Sequence, residues 1–373
     1  MRQPASIFND VIGPVMIGPS SSHTAASVRI GRLMHQLIKG KPKKVIFEFE
    51  PKGSLATTYH GQGSDIGLIG GLLNYETYDV RIVNSLNEAK NLGIEVEFNV
   101  VDYESNHPNT YRTTVVENDG NEIHATFLST GGGMIEMIEL EGFQVSITGG
   151  FFETIIFLKS SDRKEAARLH ECIVENINEY DFSTLHENSN KFLINIKSQN
   201  KLSEGEIFLI EKNTEVDKII NFSPVLPIKS QKTYDDLFNT AIEIEKIAVE
   251  QNLDLWEIAI NYESSRGNIT KAEAYNKMKD IVRILKDSME RGKKGTSYED
   301  RILGHQSNLL ENDNKKFIPG NVFNSVVKHI TLMMEIKSSM GVIVAAPTAG
   351  SCGALPGTII GIATELGLDD DEI

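Results

Sequence analysis

Two groups of residues in this sequence have the types and spacing that chemistry requires. The first is a hydroxyl-rich loop, Ser20-Ser21-Ser22-His23-Thr24, which precedes an amphipathic helix predicted over residues 25–38. Hydroxyls and free backbone N–H groups at the start of a helix are typical of a carboxylate or phosphate cradle. An imidazole beside such a cradle is suited to proton transfer near neutral pH, so His23 is a candidate base. The alternative is a structural loop in which Ser22 or Thr24 only caps the helix.

The second group surrounds Cys352. A short apolar run ends at Pro347, and an apolar helix is predicted over residues 354–366. A cysteine near the N-terminus of a helix is favoured as the thiolate, which can act as a metal ligand, a nucleophile or a redox centre. The alternative is a small buried cysteine that fills a contact between helices.

Three further segments have the composition of ligand loops. Residues 53–65 follow a strand predicted at 45–49, contain His60, and precede a helix predicted at 66–73 that Ser64 or Asp65 can cap. Their G-x-G pair does not satisfy the dinucleotide fingerprint. The other two segments are 107–110, which includes Asn109, and the glycine-rich 129–133. Strands are predicted at 94–100, 111–117 and 123–128, the last two joined by an Asn-Asp-Gly hairpin turn at 118–120.

Composition excludes several classes of protein. The chain has 373 residues, 37 basic and 52 acidic, and a formal net charge of −15, which argues against nucleic acid or an anionic membrane as the main partner. It contains no apolar run of about 18 residues and no signal-peptide pattern, so we expect a cytoplasmic protein. The two cysteines give no disulfide framework. Cys172 is predicted to be a buried residue of the protein core, on a helix over residues 162–178.

The element pattern predicts an α+β protein with three parts. Residues 1–150 form an α/β unit. Residues 151–227 form a small β-α-β-β module with strands at 153–158, 192–196 and 207–210, similar in outline to regulatory ACT domains; the alternative is a spacer that packs the two halves together. Residues 228–373 form a helical domain, with helices predicted at 234–251, 253–262, 271–291 and 322–340 and loops at 264–268 and 292–321.

The ordered motifs resemble those of a known family. I-G-P-S-S-S-H-T, S-L-A-T-T-x-x-G-x-G-S-D, H-P-N-T and S-x-G-G-G are similar to the β region of the iron-sulfur L-serine dehydratases. A-P-T-x-G-x-C-G-x-L-P is similar to the cluster-binding loop of their α region. Three features depart from the family pattern. The second loop reads His-Gly-Gln-Gly where the family has a Gly-His-Gly core, Lys337 stands where an asparagine is expected, and no cysteine follows Cys352.

The resemblance implies a single chain with β-type and α-type regions in that order. It implies an L-serine ammonia-lyase that converts L-serine to pyruvate and ammonia in amino-acid catabolism. A [4Fe-4S] cluster with one open iron would bind the serine hydroxyl, Cys352 would be one cluster ligand, and His23 or His60 would be the base. The implied substrate contacts are Ser20, Ser21, Ser22, Thr24, Ser64, Asp65 and Asn109.

The family carries two further cluster cysteines after the first. We therefore expect that the α-type domain is truncated, and that a homodimer or a partner segment completes it. Two alternatives stay open: a non-catalytic protein that binds serine or a small hydroxy or amino acid, and an inactive fragment of the enzyme. Hydrolysis or isomerisation of a phosphorylated metabolite is less favoured, because the sequence shows no carboxylate cluster for Mg²⁺. A pyridoxal-phosphate route is less favoured, because the sequence shows no suitable lysine motif.

Overall fold

The computed structural model of the chain describes residues 4–213, 215–232, 237–296, 298, 303–310, 321–348 and 350–373. It confirms the predicted α+β class, with a β-rich N-terminal region and a helical C-terminal region. The N-terminal region contains β1 (Val15–Ile17), α1 (Ala26–Leu37), β2 (Lys44–Phe49), α2 (Leu55–Thr58), α3 (Ser64–Leu72), α4 (Ser85–Asn91), β3 (Glu95–Val100), β4 (Thr110–Val116), β5 (Glu122–Gly131), β6 (Met134–Leu140) and β7 (Phe143–Ile147).

Six of these strands form one mixed sheet in the order β3-β2-β4-β5-β6-β7. β2 and β3 run parallel, and the other neighbours run antiparallel. Alternate residues of β2 (Val45, Phe47 and Phe49) are buried, as expected for a strand with one face on the core. The predicted hairpin turn at 118–120 is confirmed, because it joins the paired ends of β4 and β5.

Helices α1 and α3 pack on this sheet and cross each other closely. A Cβ atom added at Gly31 would lie 2.2 Å from the Leu68 carbonyl oxygen, and one at Gly71 would lie 2.0 Å from the Val28 carbonyl oxygen. A larger residue at either glycine would therefore push the helices apart. The loops that precede the two helices are brought together by this crossing.

The module contains β8 (Phe152–Leu158), α5 (Arg163–Glu175), β9 (Phe182–Asn188), β10 (Lys191–Ser198), α6 (Glu204–Glu211) and β11 (Val216–Phe222). The predicted β-α-β-β order thus extends to β-α-β-β-α-β, the ferredoxin-like order. The strand predicted at 207–210 is wrong, because these residues belong to α6. A capping box starts that helix: the Ser203 hydroxyl accepts from the Glu206 N–H, and the Glu206 carboxylate accepts from the Ser203 N–H.

The module sheet is antiparallel, in the order β11-β8-β10-β9, and both of its faces are covered. Ile155 and Leu193 join the core of the six-stranded sheet, while Ile156 and Ile194 pack against the helices of the module. The prediction that Cys172 lies in the core is wrong, because this residue is exposed on α5. The neighbouring residue Ile173 occupies the buried stripe of the helix instead.

The C-terminal region contains α7 (Ala241–Gln251), α8 (Leu255–Gly267), α9 (Lys271–Lys293), α10 (Asn321–Ser338), β12 (Val342–Val344) and α11 (Ser351–Leu366). The helix predicted from residue 234 begins only at Ala241, and residues 233–236 lie outside the described part. The loop predicted at 264–268 is wrong for residues 264–267, because α8 continues to Gly267. The helix is followed by Asn268, whose backbone has the left-handed conformation. Within the described ranges, no helix combines the length and apolar character that a membrane crossing needs.

A two-stranded ribbon joins the first and last parts of the chain. β1 pairs antiparallel with β12, with Val15 opposite Val344 and Ile17 opposite Val342. Met16 is completely buried in the apolar core that the helical region forms around this ribbon. The β-type and α-type regions therefore share a core at this point.

The segment before β1 is also anchored to the helical region. Glu263 of α8 is completely buried and accepts hydrogen bonds from Ser6 Oγ at 2.5 Å and from the Ile7 N–H at 2.8 Å. Phe8 packs in the same core as Met16. Residues 6–17 are thus structurally part of the helical region.

Candidate active site

The helix crossing places the loops at 20–24 and 53–65 against each other. Thr24 Oγ1 donates to the Gln62 carbonyl oxygen at 2.8 Å. A Cβ atom at Gly67, in the first turn of α3, would lie 2.7 Å from the Thr24 carbonyl oxygen. The alternative in which Ser22 or Thr24 caps α1 is wrong, because Ser21–Ala25 form a π-helical turn that runs into α1, and no side chain caps either segment.

The imidazole of His23 lies inside this arrangement and is 9% exposed. Its Nδ1 atom is 3.0 Å from Ser20 Oγ and 3.4 Å from Ser22 Oγ, and its Nε2 atom is 3.2 Å from Thr58 Oγ1. Burial lowers the pKa of His23 below its ordinary value of 6.5, because desolvation penalises the charged imidazolium. His23 is therefore neutral at pH 7, the form that can accept a proton.

The loops at 107–110 and 129–133 reach the same place. Ser54 Oγ donates to Asn109 Oδ1, and the Ser129 N–H donates to the Asn109 carbonyl oxygen at 3.0 Å. Ser129 Oγ donates to the Ser22 carbonyl oxygen at 2.7 Å. Four loops that are far apart in the sequence are thus linked to one another by side-chain hydrogen bonds.

A buried arginine lies behind the glycine turn. Arg29 is 1% exposed, and its Nη1 group donates to the Gly133 carbonyl oxygen at 2.5 Å. A Cβ atom at Gly133 would lie 3.4 Å from the Ser21 carbonyl oxygen, so the turn lies against the hydroxyl-rich loop. Burial lowers the pKa of Arg29 to about 10, an effect opposed by the Asp10 carboxylate. Its positive charge favours an anion in the cradle.

Three of the predicted site residues, His60, Ser64 and Asp65, belong to the segment 53–65. His60 Nδ1 is 2.5 Å from Asp65 Oδ2, and the side chain of His60 is 83% exposed whereas that of Asp65 is 4% exposed. Ser64 is buried, with its Oγ atom 3.4 Å from the Tyr111 hydroxyl. The residue before α3 is Gly63, and no side chain caps this helix. His60 therefore lies at the outer rim, and Ser64 faces the core.

Cys352 is the second residue of α11, because the helix begins at Ser351 rather than at residue 354. Burial raises the pKa of the Cys352 thiol, opposed by the charge of Lys337 and by the N–H groups of Cys352 and Gly353. The N–H groups at the helix N-terminus favour the thiolate, as expected, but burial has the larger effect and favours the thiol. Metal binding at Cys352 would therefore release a proton.

Glycines bring α11 into close contact with α10 and so set the position of Cys352. A Cβ atom at Gly353 would lie 2.6 Å from Met334 Sδ, and one at Gly357 would lie 2.6 Å from the Ile330 backbone nitrogen. The residue before the helix, Gly350, has a φ of +85°, which favours glycine.

The ribbon of β1 and β12 connects this helix with the hydroxyl-rich loop. Ala25, directly after that loop, lies in the same apolar core as Cys352. A Cβ atom at Gly18, directly after β1, would lie 3.2 Å from Cε of Met340, two residues before β12. The cysteine and the four loops thus belong to one continuous part of the molecule.

The described residues fit one ligand of an iron-sulfur cluster. Such clusters are held by several cysteine thiolates. Over the described ranges, no group of three His, Cys, Asp or Glu side chains is arranged to hold a metal ion, and the second cysteine, Cys172, is exposed on α5. These residues do not hold a complete cluster, but Cys352 fits one position in it.

Sequence reasoning did not single out several side chains that build this site. Thr58, Ser54 and Ser129 supply hydroxyls, and Arg29 supplies the buried charge. The hydroxyl residues lie inside the loops that were predicted to bind a ligand. Their position in those loops is the sequence signal that could have identified them. Arg29 had a separate signal, because it falls on the apolar face of an amphipathic helix.

Comparison with known proteins matches two parts of the chain. Residues 7–139 match the family "Serine dehydratase beta chain", and residues 250–373 match the family "Serine dehydratase alpha chain". A "Probable L-serine dehydratase, beta chain" from Bacillus subtilis is 47% identical over 144 residues, which are 39% of this chain and 64% of the relative.

Two further relatives extend the match. The "L-serine dehydratase, beta chain" of Peptoniphilus asaccharolyticus is 31% identical over 183 residues, which are 49% of this chain and 80% of the relative. The "Probable L-serine dehydratase, alpha chain" of Bacillus subtilis is 24% identical over 132 residues, 35% of this chain and 44% of the relative. The chain thus spans less than half of the length of this alpha-chain relative.

Proposed function

Because the chain belongs to the serine dehydratase family, we propose that it is an L-serine ammonia-lyase, which converts L-serine to pyruvate and ammonia. The observation that carries the proposal is the convergence of four loops around neutral His23. This arrangement offers hydroxyl and N–H groups for a carboxylate and, beside them, a base for a proton on the adjacent carbon.

The residues of the chain take the following roles in this proposal. The loop at 20–24 and Asn109 bind the carboxylate of serine, and the charge of Arg29 behind the glycine turn favours that anion. His23 accepts the Cα proton because it is neutral at working pH and half-enclosed by hydroxyls. We favour His23 over His60 as the base, since His60 lies at the exposed rim.

The reaction balances as an elimination followed by hydrolysis. The electron pair of the Cα–H bond forms the Cα=Cβ bond, the proton goes to His23, and the Cβ–O bond breaks with loss of hydroxide. The product, 2-aminoacrylate, tautomerises to an imine, and water hydrolyses the imine to pyruvate and ammonia. The described residues supply the base and the carboxylate cradle.

We further propose that Cys352 contributes one thiolate to a [4Fe-4S] cluster. The other thiolates would come from a second copy or from a partner segment. Two relatives with alpha and beta in their names are separate chains, which supports a partner segment. The glycine-packed α10–α11 pair fixes Cys352 beside the ribbon that leads to the hydroxyl-rich loop.

The test uses the chain alone and a hybrid in which the unmatched part of the Bacillus subtilis alpha chain follows residue 373. Both are reconstituted anaerobically with iron and sulfide, then assayed for iron and for pyruvate formed from L-serine. We expect His23→Asn to lower turnover by about 10²- to 10⁴-fold with unchanged iron content. His124→Asn, at an exposed position on β5, is the matched control and should leave turnover unchanged. Cys352→Ser should remove both iron and turnover.

Three results would contradict the proposal. If the hybrid binds iron and L-serine but forms no pyruvate, the chain is a binding protein rather than an enzyme. If His23→Asn retains full turnover, His23 is not the base. If Cys352→Ser retains its iron, Cys352 is not a cluster ligand.

A further inference from the structure

The two ring nitrogens of His23 have different neighbours. Nδ1 faces two hydroxyls, Ser20 Oγ at 3.0 Å and Ser22 Oγ at 3.4 Å. Nε2 faces one hydroxyl, Thr58 Oγ1, at 3.2 Å. In a neutral imidazole one nitrogen carries the proton and the other accepts a hydrogen bond, so these neighbours decide which nitrogen can act as a base.

The Thr58 hydroxyl has already committed its hydrogen. Its Oγ1 atom donates to the Ser54 carbonyl oxygen at 2.6 Å, and a carbonyl oxygen can only accept. A hydroxyl carries one hydrogen, so toward His23 it can offer only a lone pair. The proton of the neutral imidazole must then lie on Nε2, where it completes this hydrogen bond.

The assignment leaves Nδ1 without a proton. Either neighbouring serine hydroxyl can rotate to donate to Nδ1, since hydroxyl hydrogens turn freely to suit their partners. The unprotonated nitrogen therefore faces the side of the ring on which Ser20 and Ser22 lie. This is also the side of the proposed carboxylate cradle.

We propose that Thr58 is a positioning residue that holds His23 as the Nε2–H tautomer, so that Nδ1 is the atom that accepts the substrate proton. The catalytic part of this inference rests on the proposed function; the tautomer does not. After proton transfer, Nδ1 carries the new proton, and Nε2–H keeps its hydrogen bond to Thr58. The imidazolium ring is thus held in place during the step.

The test of the tautomer needs no turnover. The full chain is labelled with ¹⁵N-histidine, and the resonances of His23 are assigned by their loss in His23→Gln. We expect an unprotonated Nδ1 and a protonated Nε2 in the wild-type chain at pH 7.5. Thr58→Val, which keeps the shape but loses the hydroxyl, should populate both tautomers, and Thr58→Ser should restore the wild-type spectrum.

Turnover of the hybrid tests the catalytic consequence. We expect Thr58→Val to lower kcat on the order of 10- to 100-fold with a smaller change in KM, and Thr58→Ser to recover most of the loss. A protonated Nδ1 in the wild-type chain, or a Thr58→Val spectrum identical to that of the wild type, would overturn the inference even if serine is turned over. An Nε2–H tautomer in a hybrid that forms no pyruvate would instead overturn the proposed function alone.

Discussion

The contact between α10 and α11 offers the sharpest test of how the fold positions Cys352. In Gly357→Ala, the new Cβ atom would lie 2.6 Å from the Ile330 backbone nitrogen and 2.7 Å from its Cα atom. Ordinary contacts begin at 3.4 Å, so the helices must separate by about 0.8 Å. Backbone atoms cannot rotate away, unlike the end of a flexible side chain.

The magnitude follows from two opposing effects. Overpacking of this kind costs about 1–3 kcal/mol, whereas replacing glycine by alanine inside a helix gains up to about 1 kcal/mol. We therefore expect Gly357→Ala to lower the free energy of unfolding by about 1–2 kcal/mol. Gly205→Ala is the matched control, because no atom beyond its neighbours and the nearby backbone of α6 lies within 4 Å of the new Cβ atom. It should raise that free energy by about 0.5–1 kcal/mol.

Urea unfolding followed by circular dichroism measures both variants. The fluorescence of Trp256, the single tryptophan of the chain, reports on the helical region separately. In the reconstituted hybrid, Gly357→Ala should also lower the iron content, since metal–ligand distances tolerate only about 0.2 Å. The reasoning would be refuted if both variants were stabilised, because the helices would then not depend on the close approach.

Two other predictions follow from buried groups. Glu263→Ala removes the acceptor of Ser6 Oγ and the Ile7 N–H and leaves the buried Arg266 guanidinium, 3.9 Å away, without its counter-ion. It should lower the free energy of unfolding by about 3–5 kcal/mol, measured by urea unfolding. The control Glu245→Ala, at an exposed position, should change it by less than about 0.5 kcal/mol, and a similar small loss in both would contradict the anchor. The lowered pKa of His23 should place the acid limb of kcat/KM for the hybrid below pH 6.5, because only the neutral imidazole is a base. A midpoint above 6.5 would contradict the burial of the imidazole.

The sequence predicted most of the elements that carry the site. Alternating apolar residues indicated β2, and the Asn-Asp-Gly turn at 118–120 indicated the hairpin of β4 and β5. The amphipathic pattern indicated α1 and its hydroxyl-rich N-terminal loop. These signals are local, because each depends on residues within one or two turns or on one strand period.

The errors have local physical reasons as well. The apolar run at 207–210 has strand-like composition, but the Ser203–Glu206 capping box starts a helix there. Cys172 was predicted from a helix pattern that was correct in place but one residue off in phase, since Ile173 takes the buried position. A capping box and a helical phase are both readable from sequence, so both errors were avoidable.

The contacts within the site were not predictable from local pattern. Thr58 meets His23, and Ser129 meets Ser22, because two helices cross at glycines and because α1 and the residues before it lie against β5. The ribbon of β1 and β12 pairs two three-residue strands from opposite ends of the chain. Such short strands carry almost no periodicity of their own.

The anchored N-terminal segment has a consequence for how the molecule holds together. Residues 6–17 are built into the helical region through Glu263, the shared core and the ribbon, although they lie at the start of the β-type region in the chain. A cut of the backbone between the module and α7 would therefore leave two fragments that stay associated. The β-type half carries its own docking peptide, so its union with an α-type half does not depend on a peptide bond between them.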